Sequence, residues 1–177
     1  MKGFGKILLS GLLLVSTSSF AASLSLSPST GSIVENSSYT VDLVFNNDAP
    51  SLPAGSFISG ILKLDYSNNV TFDSTTLGSV TSTPGLLTID LFDHEISDTT
   101  LGSFTFTANA TGWADFFLTD KNSQGSFSYS DSPSGSNGFA PTLIGAEVLV
   151  TAVPVPAAAW LMLSGLGLLG SLNFRRK

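Results

Sequence analysis

Between Ser23 and Thr151 apolar side chains alternate with polar ones. Tyr39, Val41, Leu43 and Phe45 share one parity against Thr40 and Asp42, and Ile58, Leu62, Leu64 and Tyr66 alternate with Ser59, Lys63 and Asp65. Leu87, Ile89 and Leu91 oppose Thr88 and Asp90, Phe104 and Phe106 oppose Ser103, Thr105 and Thr107, and Ile144, Ala146, Val148 and Val150 oppose Gly145 and Glu147. Successive side chains of a strand point to opposite faces, so this period predicts strands with one face buried. No window sustains the period near 3.6 that a helix requires. The runs are parted by turn-forming clusters, Asn46-Asn47-Asp48, Ser67-Asn68-Asn69 and Thr83-Pro84-Gly85. Short strands at this spacing predict an all-β fold, an antiparallel β-sandwich. Ser123 to Gly138 is rich in Ser and Gly but holds Phe127 and Tyr129, and reads as a long loop with a short edge strand.

Both ends break the alternation. Lys2 and Lys6 precede an apolar stretch from Ile7 to Val15 and a polar run into Phe20-Ala21-Ala22, the parts of a secretory signal. Cleavage after Ala21 places Ser19 and Ala21 at the small-residue positions, whereas cleavage after Ala22 puts Phe20 in one of them. Residues 1–21 are therefore expected to be a signal peptide removed by signal peptidase, with Ala22 leading the mature chain. At the other end residues 157–174 carry no charge. About 18 residues at roughly 1.5 Å each give about 27 Å, which predicts a transmembrane helix. Arg175, Arg176 and Lys177 then stay on the cytoplasmic side, and Trp160 sits at the opposite interface. The expected organisation is a signal peptide over 1–21, one sandwich domain over 22–152 and a C-terminal segment over 153–177. An ordinary tail anchor behind a proline-containing linker is the competing reading of that segment.

Val153-Pro154-Val155-Pro156-Ala157, an alanine run with Trp160, a Ser-Gly-Leu-rich helix and a terminal basic cluster resemble the PEP-CTERM class of bacterial sorting signals in its VPLPA-type variant. Val155 stands where that variant usually has Leu. The resemblance implies recognition by an exosortase that cuts near the proline motif. It further implies export through the inner membrane of a Gram-negative bacterium, transient membrane anchoring, and a final place at the cell surface or in the extracellular matrix. Val153, Pro154, Pro156, Ala157, Arg175, Arg176 and Lys177 are then the sorting residues. A second resemblance runs along the middle. Leu24-Ser25-Leu26-Ser27-Pro28, Tyr39-Thr40-Val41-Asp42-Leu43, Gly60-Ile61-Leu62-Lys63-Leu64-Asp65-Tyr66 and Leu101-Gly102-Ser103-Phe104-Thr105-Phe106 are similar to the strand pattern of cohesin domains and their carbohydrate-binding-module relatives. This implies a jelly-roll sandwich of about nine strands used for adhesion.

Charge sharpens the picture. Of the seven cations only Lys63 and Lys121 lie between the terminal segments, against all 13 acids, so the presumed mature domain carries a net −11. Phosphate backbones are bound by neutralising Lys and Arg, which argues against nucleic acid as a partner. The chain has no cysteine, and so no disulfide, thiolate metal site or thiol nucleophile. The single histidine, His94, lies in Asp90-Leu91-Phe92-Asp93-His94-Glu95 with Asp98 beyond, where acids around an imidazole could hold a cation. The spacing matches no EF-hand and lacks typical zinc ligands, so a solvated turn is the expected state and no metal or cofactor is assigned. No serine lies in a Gly-x-Ser-x-Gly elbow and no carboxylate pair stands out, so no catalytic residue is assigned either.

In Trp113-Ala114-Asp115-Phe116-Phe117-Leu118, inward Phe116 and Leu118 place Trp113, Asp115 and Phe117 on the opposite face. Exposed rings beside a carboxylate can stack on a sugar or form a protein-docking patch, which makes these three the candidate ligand-binding residues. The competing reading covers both faces of this strand, or places Trp113 in the core at a sandwich end. The expected role is structural or adhesive, in an exopolysaccharide or biofilm matrix. A carbohydrate- or protein-binding adhesin with a defined ligand, and a small secreted hydrolase, are the alternatives.

Overall fold

The alternating runs form strands. The structure, a computed structural model, describes residues 22–47, 56–95, 100–121, 127–132, 135–154 and 156–174. The signal-peptide segment through Ala21, Val155 and the basic residues Arg175, Arg176 and Lys177 lie outside the described residues. The strands are β1 (Ala22–Pro28), β2 (Ser32–Val34), β3 (Ser38–Asn47), β4 (Phe57–Tyr66), β5 (Val70–Thr75), β6 (Val80–Thr83) and β7 (Leu86–Glu95). They continue with β8 (Thr100–Ala108), β9 (Gly112–Asp120), β10 (Phe127–Ser132), β11 (Gly135–Phe139), β12 (Thr142–Ile144) and β13 (Ala146–Thr151), before one helix, α1 (Ala157–Phe174).

Two sheets result. The first has the order β12-β1-β3-β8-β5, and the second runs β11-β10-β4-β9-β13-β2, with β7 also paired to β4 and β6 to β7. Phe57 to Ser59 of β4 pair with β10 and Leu62 to Tyr66 with β9, so β9 and β10 follow one another along one edge of β4 while β7 lines the other. The expected parities hold, Ile144 excepted. Leu24, Tyr39, Val41, Leu43, Phe45, Phe104 and Phe106 on the first sheet and Ile58, Leu62, Leu64, Leu87, Ile89, Leu91, Ala114, Phe116, Leu118, Val148 and Val150 on the second form one core cluster. Phe106 is its hub, with ring centroids of Tyr66 at 5.3 Å, Phe72 at 5.8 Å, Tyr39 at 6.2 Å and Phe116 at 4.9 Å.

The pairing is not wholly antiparallel. β1 pairs with β12 in parallel (Ser23↔Thr142 to Ser25↔Ile144), and β2 pairs with β13 in parallel (Leu149↔Ser32 to Thr151↔Val34). The first and last segments of the sandwich thus run side by side, each crossing from the first sheet to the second. Gly145 permits the second crossing, because a Cβ there would overlap the Phe116 carbonyl oxygen. The run from Ile144 to Val150 is therefore two strands, and Ile144 is 46% exposed instead of buried.

The Ser- and Gly-rich stretch is a hairpin, β10 to β11, and not a loop with one short strand. Its Phe127 is 1% exposed, and a Cβ on Gly60 would overlap the Phe127 ring. The glycine in β4 leaves a gap that the phenyl ring fills. At the Thr83-Pro84-Gly85 turn Gly85 has φ +79°, and its carbonyl accepts the Tyr66 N–H at 3.0 Å. Asn36 has φ 66°, a conformation that asparagine tolerates better than most side chains.

Helix α1 has the expected bounds. No helix among the described residues is, however, long and apolar enough to cross a membrane. Its 18 residues span about 27 Å against a hydrocarbon core of about 30 Å. Ser164, Gly165, Gly167, Gly170, Ser171 and Asn173 dilute the apolar content. Trp160, Leu161, Met162, Leu163 and Leu166 are all exposed.

Tyr39 is 5% exposed, and its hydroxyl finds no hydrogen-bond partner among the described residues. Burial pushes this phenol well above its ordinary value of 10.0, because the anion would lose its hydration. A folded-state value raised above the unfolded one means that stability is intact below about pH 10 and falls at higher pH, where the unfolded chain ionises first. Tyr39→Phe removes a buried hydroxyl that satisfies nothing. It should raise stability by about 1 kcal/mol and flatten the alkaline limb, as read by urea denaturation between pH 7 and 11.

Candidate functional site

The inward side chains of β9 fix what its other face shows. With Ala114 and Phe116 fully buried and Leu118 nearly so, Trp113 is 55% and Phe117 60% exposed, and Asp115 lies between them half-buried. The Ser67-Asn68-Asn69 turn holds this strand in place. The Ser67 N–H donates to the Asp115 carbonyl at 3.1 Å, the Asp115 N–H to Ser67 Oγ at 2.6 Å, and Asn69 Nδ2 to the Trp113 carbonyl at 3.1 Å. The three candidate residues are therefore presented on rigid backbone.

Register extends the face across the second sheet. Asp115 stands opposite Glu147 and Trp113 opposite Leu149 on β13, while Phe117 stands opposite Asp65 on β4. Asp115, Phe117, Gly145 and Glu147 border a shallow depression of about 290 Å³. On β4 Lys63 faces Thr119, and Ile61 faces Asp90 of β7. A bulge sets Gly60 opposite Leu91 and Ile58 opposite His94, so the two residues Phe92 and Asp93 oppose Ser59 alone. Phe92 is thereby turned outward at 81% exposure, and Phe57 on β4 is 38% exposed. Among the described residues of the sandwich, every strongly exposed aromatic ring lies on this outer face. By register Phe57 and Phe92 lie toward one end of this face and Trp113 and Phe117 toward the other, and Asp65, Asp90, Asp115 and Glu147 share the face with Lys63, so it is apolar and acidic together. Phe57 and Phe92 escaped the sequence reading although each has the parity opposite to a core residue, Ile58 and Leu91 respectively.

The outer face of the first sheet is different in kind. Ser38 and Thr107 share a hydrogen bond at 2.9 Å, Thr107 donates to Asp73 at 2.7 Å, Ser103 to Asp42 at 2.6 Å, and Asn46 to Ser23 and Ser25. Its polar groups are largely occupied by one another.

His94 lies on β7 and not in a turn; its side chain, that of Asp93, and Asp98 are outside the described residues. Among the described residues no group of three or more His, Asp or Glu could hold a metal ion. Ala22 opens β1 and is 4% exposed, next to the expected cleavage position at Ala21. At the sorting segment Val153, Pro154 and Pro156 are exposed, and Pro156 accepts the Ala159 N–H at 2.8 Å where α1 begins at Ala157. Five residues, 152–156, separate β13 from that helix.

Residues 152–177 match the PEP-CTERM protein-sorting motif. No curated protein matches the sequence. Among solved structures, the chain is similar to the seventh ScaB type I cohesin of Pseudobacteroides cellulosolvens, with a TM-score of 0.58 at 16% identity over 77% of this chain and 96% of that one. It is also similar to a non-cellulosomal cohesin of the hyperthermophilic archaeon Archaeoglobus fulgidus, with a TM-score of 0.54 at 15% identity over 74% and 91%. A type I cohesin–dockerin complex from Clostridium thermocellum matches with a TM-score of 0.54 at 11% identity over 74% and 99%. The sandwich therefore has the cohesin fold, and the comparisons indicate no enzymatic family.

The exposure of Trp113 and the burial of Phe116 predict opposite responses to truncation. Trp113→Ala should cost less than about 1 kcal/mol in urea denaturation, as expected of a surface position. Phe116→Ala should cost about 3–5 kcal/mol, since it empties the contact with Phe106.

Proposed function

We propose that this protein is exported, held briefly at the inner membrane by α1, cut by an exosortase-type enzyme in the segment from Val153 to Pro156, and left at the cell surface or in the matrix. There its sandwich docks a protein partner through the outer face of the second sheet. The observation that carries the docking assignment is the confinement of Phe57, Phe92, Trp113 and Phe117 to one face. Exposed rings on one sheet face lower their free energy by being covered, and aromatic anchors dominate protein interfaces. Asp65, Asp90, Asp115 and Glu147 select a partner surface bearing Lys or Arg among its apolar side chains. The cohesin fold supports a protein ligand over a sugar, since that fold occurs in a cohesin–dockerin complex. Stacking of a polysaccharide on Trp113 and Phe117 is the rival use of the same rings.

A photo-crosslinking amino acid at position 117 of the surface protein, in its native host, tests this. A discrete protein adduct is expected from position 117, weakened by high salt, and none from position 105 on the opposite face. Adducts only to polysaccharide, or equal yields from both faces, would overturn the docking assignment.

The sorting step has its own test. Each proline fixes its own φ and Pro154 disfavours the helical region for Val153, which opposes a helix running through the cut. Replacing both with Ala should leave export intact and accumulate a longer, membrane-bound form. Neutral replacements of Arg175, Arg176 and Lys177 should instead weaken retention in the membrane before cutting. A mature surface protein whose mass includes Lys177 would sink the processing assignment.

A further inference from the structure

Away from the docking face, where the end strand β5 of the first sheet approaches the turn that joins β6 and β7, the sandwich side opens into a cavity of about 330 Å³. We infer that this cavity binds a neutral hexose unit, through the rings of Tyr66 and Phe72 and a rim formed by Asn68, Thr71, Ser82 and Thr83. The two rings are partly exposed here and fixed from behind, Tyr66 at 5.3 Å and Phe72 at 5.8 Å from the Phe106 centroid. The Tyr66 hydroxyl donates to the Thr83 carbonyl at 3.4 Å, and the Tyr66 N–H donates to Gly85, so the ring and the β6–β7 turn hold each other. Ring ordering is thus complete before any ligand arrives, which lowers the entropic cost of binding.

The rim supplies hydrogen bonds without charge. Asn68 and Ser82 are exposed, and their side chains bond to no group among the described residues. Thr71 Oγ1 accepts from Asn109 and keeps its own hydrogen for a ligand. None of the residues lining the cavity carries a carboxylate or a cation, in a domain whose acids otherwise outnumber its cations by eleven. An ionic ligand would find no counter-charge there. An apolar one would leave the carboxamide and hydroxyls uncovered. A pyranose meets both demands, because its C–H face packs on aromatic rings while its hydroxyl edge donates and accepts. The volume falls at the lower end for small-ligand sites, enough for one or two sugar units.

The test uses the full chain in a sugar-free zwitterionic detergent, titrated with maltose, cellobiose and lactose, with glucuronic acid as the charged control, and followed by saturation-transfer NMR. At least one neutral disaccharide should bind saturably, with Kd on the order of 1 mM. Asn68→Ala should weaken it about tenfold with an unchanged melting temperature, because that side chain is solvent-exposed and bonds to nothing else among the described residues. Trp113→Ala, on the docking face, should leave it unaltered. Absence of saturable binding by all three sugars, equal binding of glucuronic acid, or loss in Trp113→Ala with retention in Asn68→Ala would each overturn the assignment. The first two outcomes leave the docking assignment of the second sheet untouched, whereas the third would move sugar binding to Trp113 and favour the rival use of that face.

Discussion

Phe106 of β8 meets Phe116 of β9 edge to face at 4.9 Å, and this contact between the two sheets sets the parity of everything around it. Edge-to-face pairs gain beyond their buried area, and this one is braced by Tyr39, Tyr66 and Phe72. With Phe116 committed inward, the period of two leaves Trp113, Asp115 and Phe117 nowhere to point but outward. A slip of one residue in β9 would expose Phe116 and bury a carboxylate, so the register of the candidate face is enforced by the core. The bonds from Ser67 and Asn69 to β9 lock the same register from the turn.

The two outer faces solve different problems with the same backbone. On the first sheet Ser, Thr, Asn and Asp side chains bond one another across strands, leaving little for a ligand to satisfy. On the second sheet four rings remain exposed, and such a face would favour association between copies did it not also carry Asp65, Asp90, Asp115 and Glu147. Repulsion among Asp65, Asp90, Asp115 and Glu147 discourages self-pairing while leaving the face open to a basic partner. The short terminal strands β2, β6, β11 and β12 limit the unpaired sheet edges that would otherwise invite strand addition.

The parities of Val41, Leu64, Ile89, Phe106 and Val148 were legible in the sequence because half-buried strands must alternate. The crossing at Gly145 was not, since the alternation continues through it unbroken while the chain changes sheets. Only the approach of the Phe116 carbonyl reveals why a glycine stands there. Phe127 was hidden by composition, as its neighbours are Ser and Gly and its partner is an empty place above Gly60, a relation between residues 67 positions apart. Phe57 and Phe92 were legible by parity, yet the outward position of Phe92 also depends on a bulge that no spacing shows. The match of residues 152–177 to the sorting motif was legible because its signal is local: two prolines, an uncharged run and three cations in order.

The parallel clasp ties the fold to the tail. β1 cannot pair with β12, nor β2 with β13, until nearly the whole domain has emerged, because Ser23 meets Thr142 and Val34 meets Thr151. Pairings so distant in sequence form late, after the loop-closure entropy has been met by nearer contacts. In a chain exported from its N-terminus, the closing strand β13 therefore emerges just ahead of α1. Five residues separate them, about 16 Å of extended chain. The Glu35 N–H bonds to the Thr151 carbonyl at 2.8 Å, so the clasp holds the chain up to the residue before that segment. A cut between Val153 and Ala157 removes no residue of the clasp. The sandwich can be released from α1 without loosening the register that presents the outer face of its second sheet.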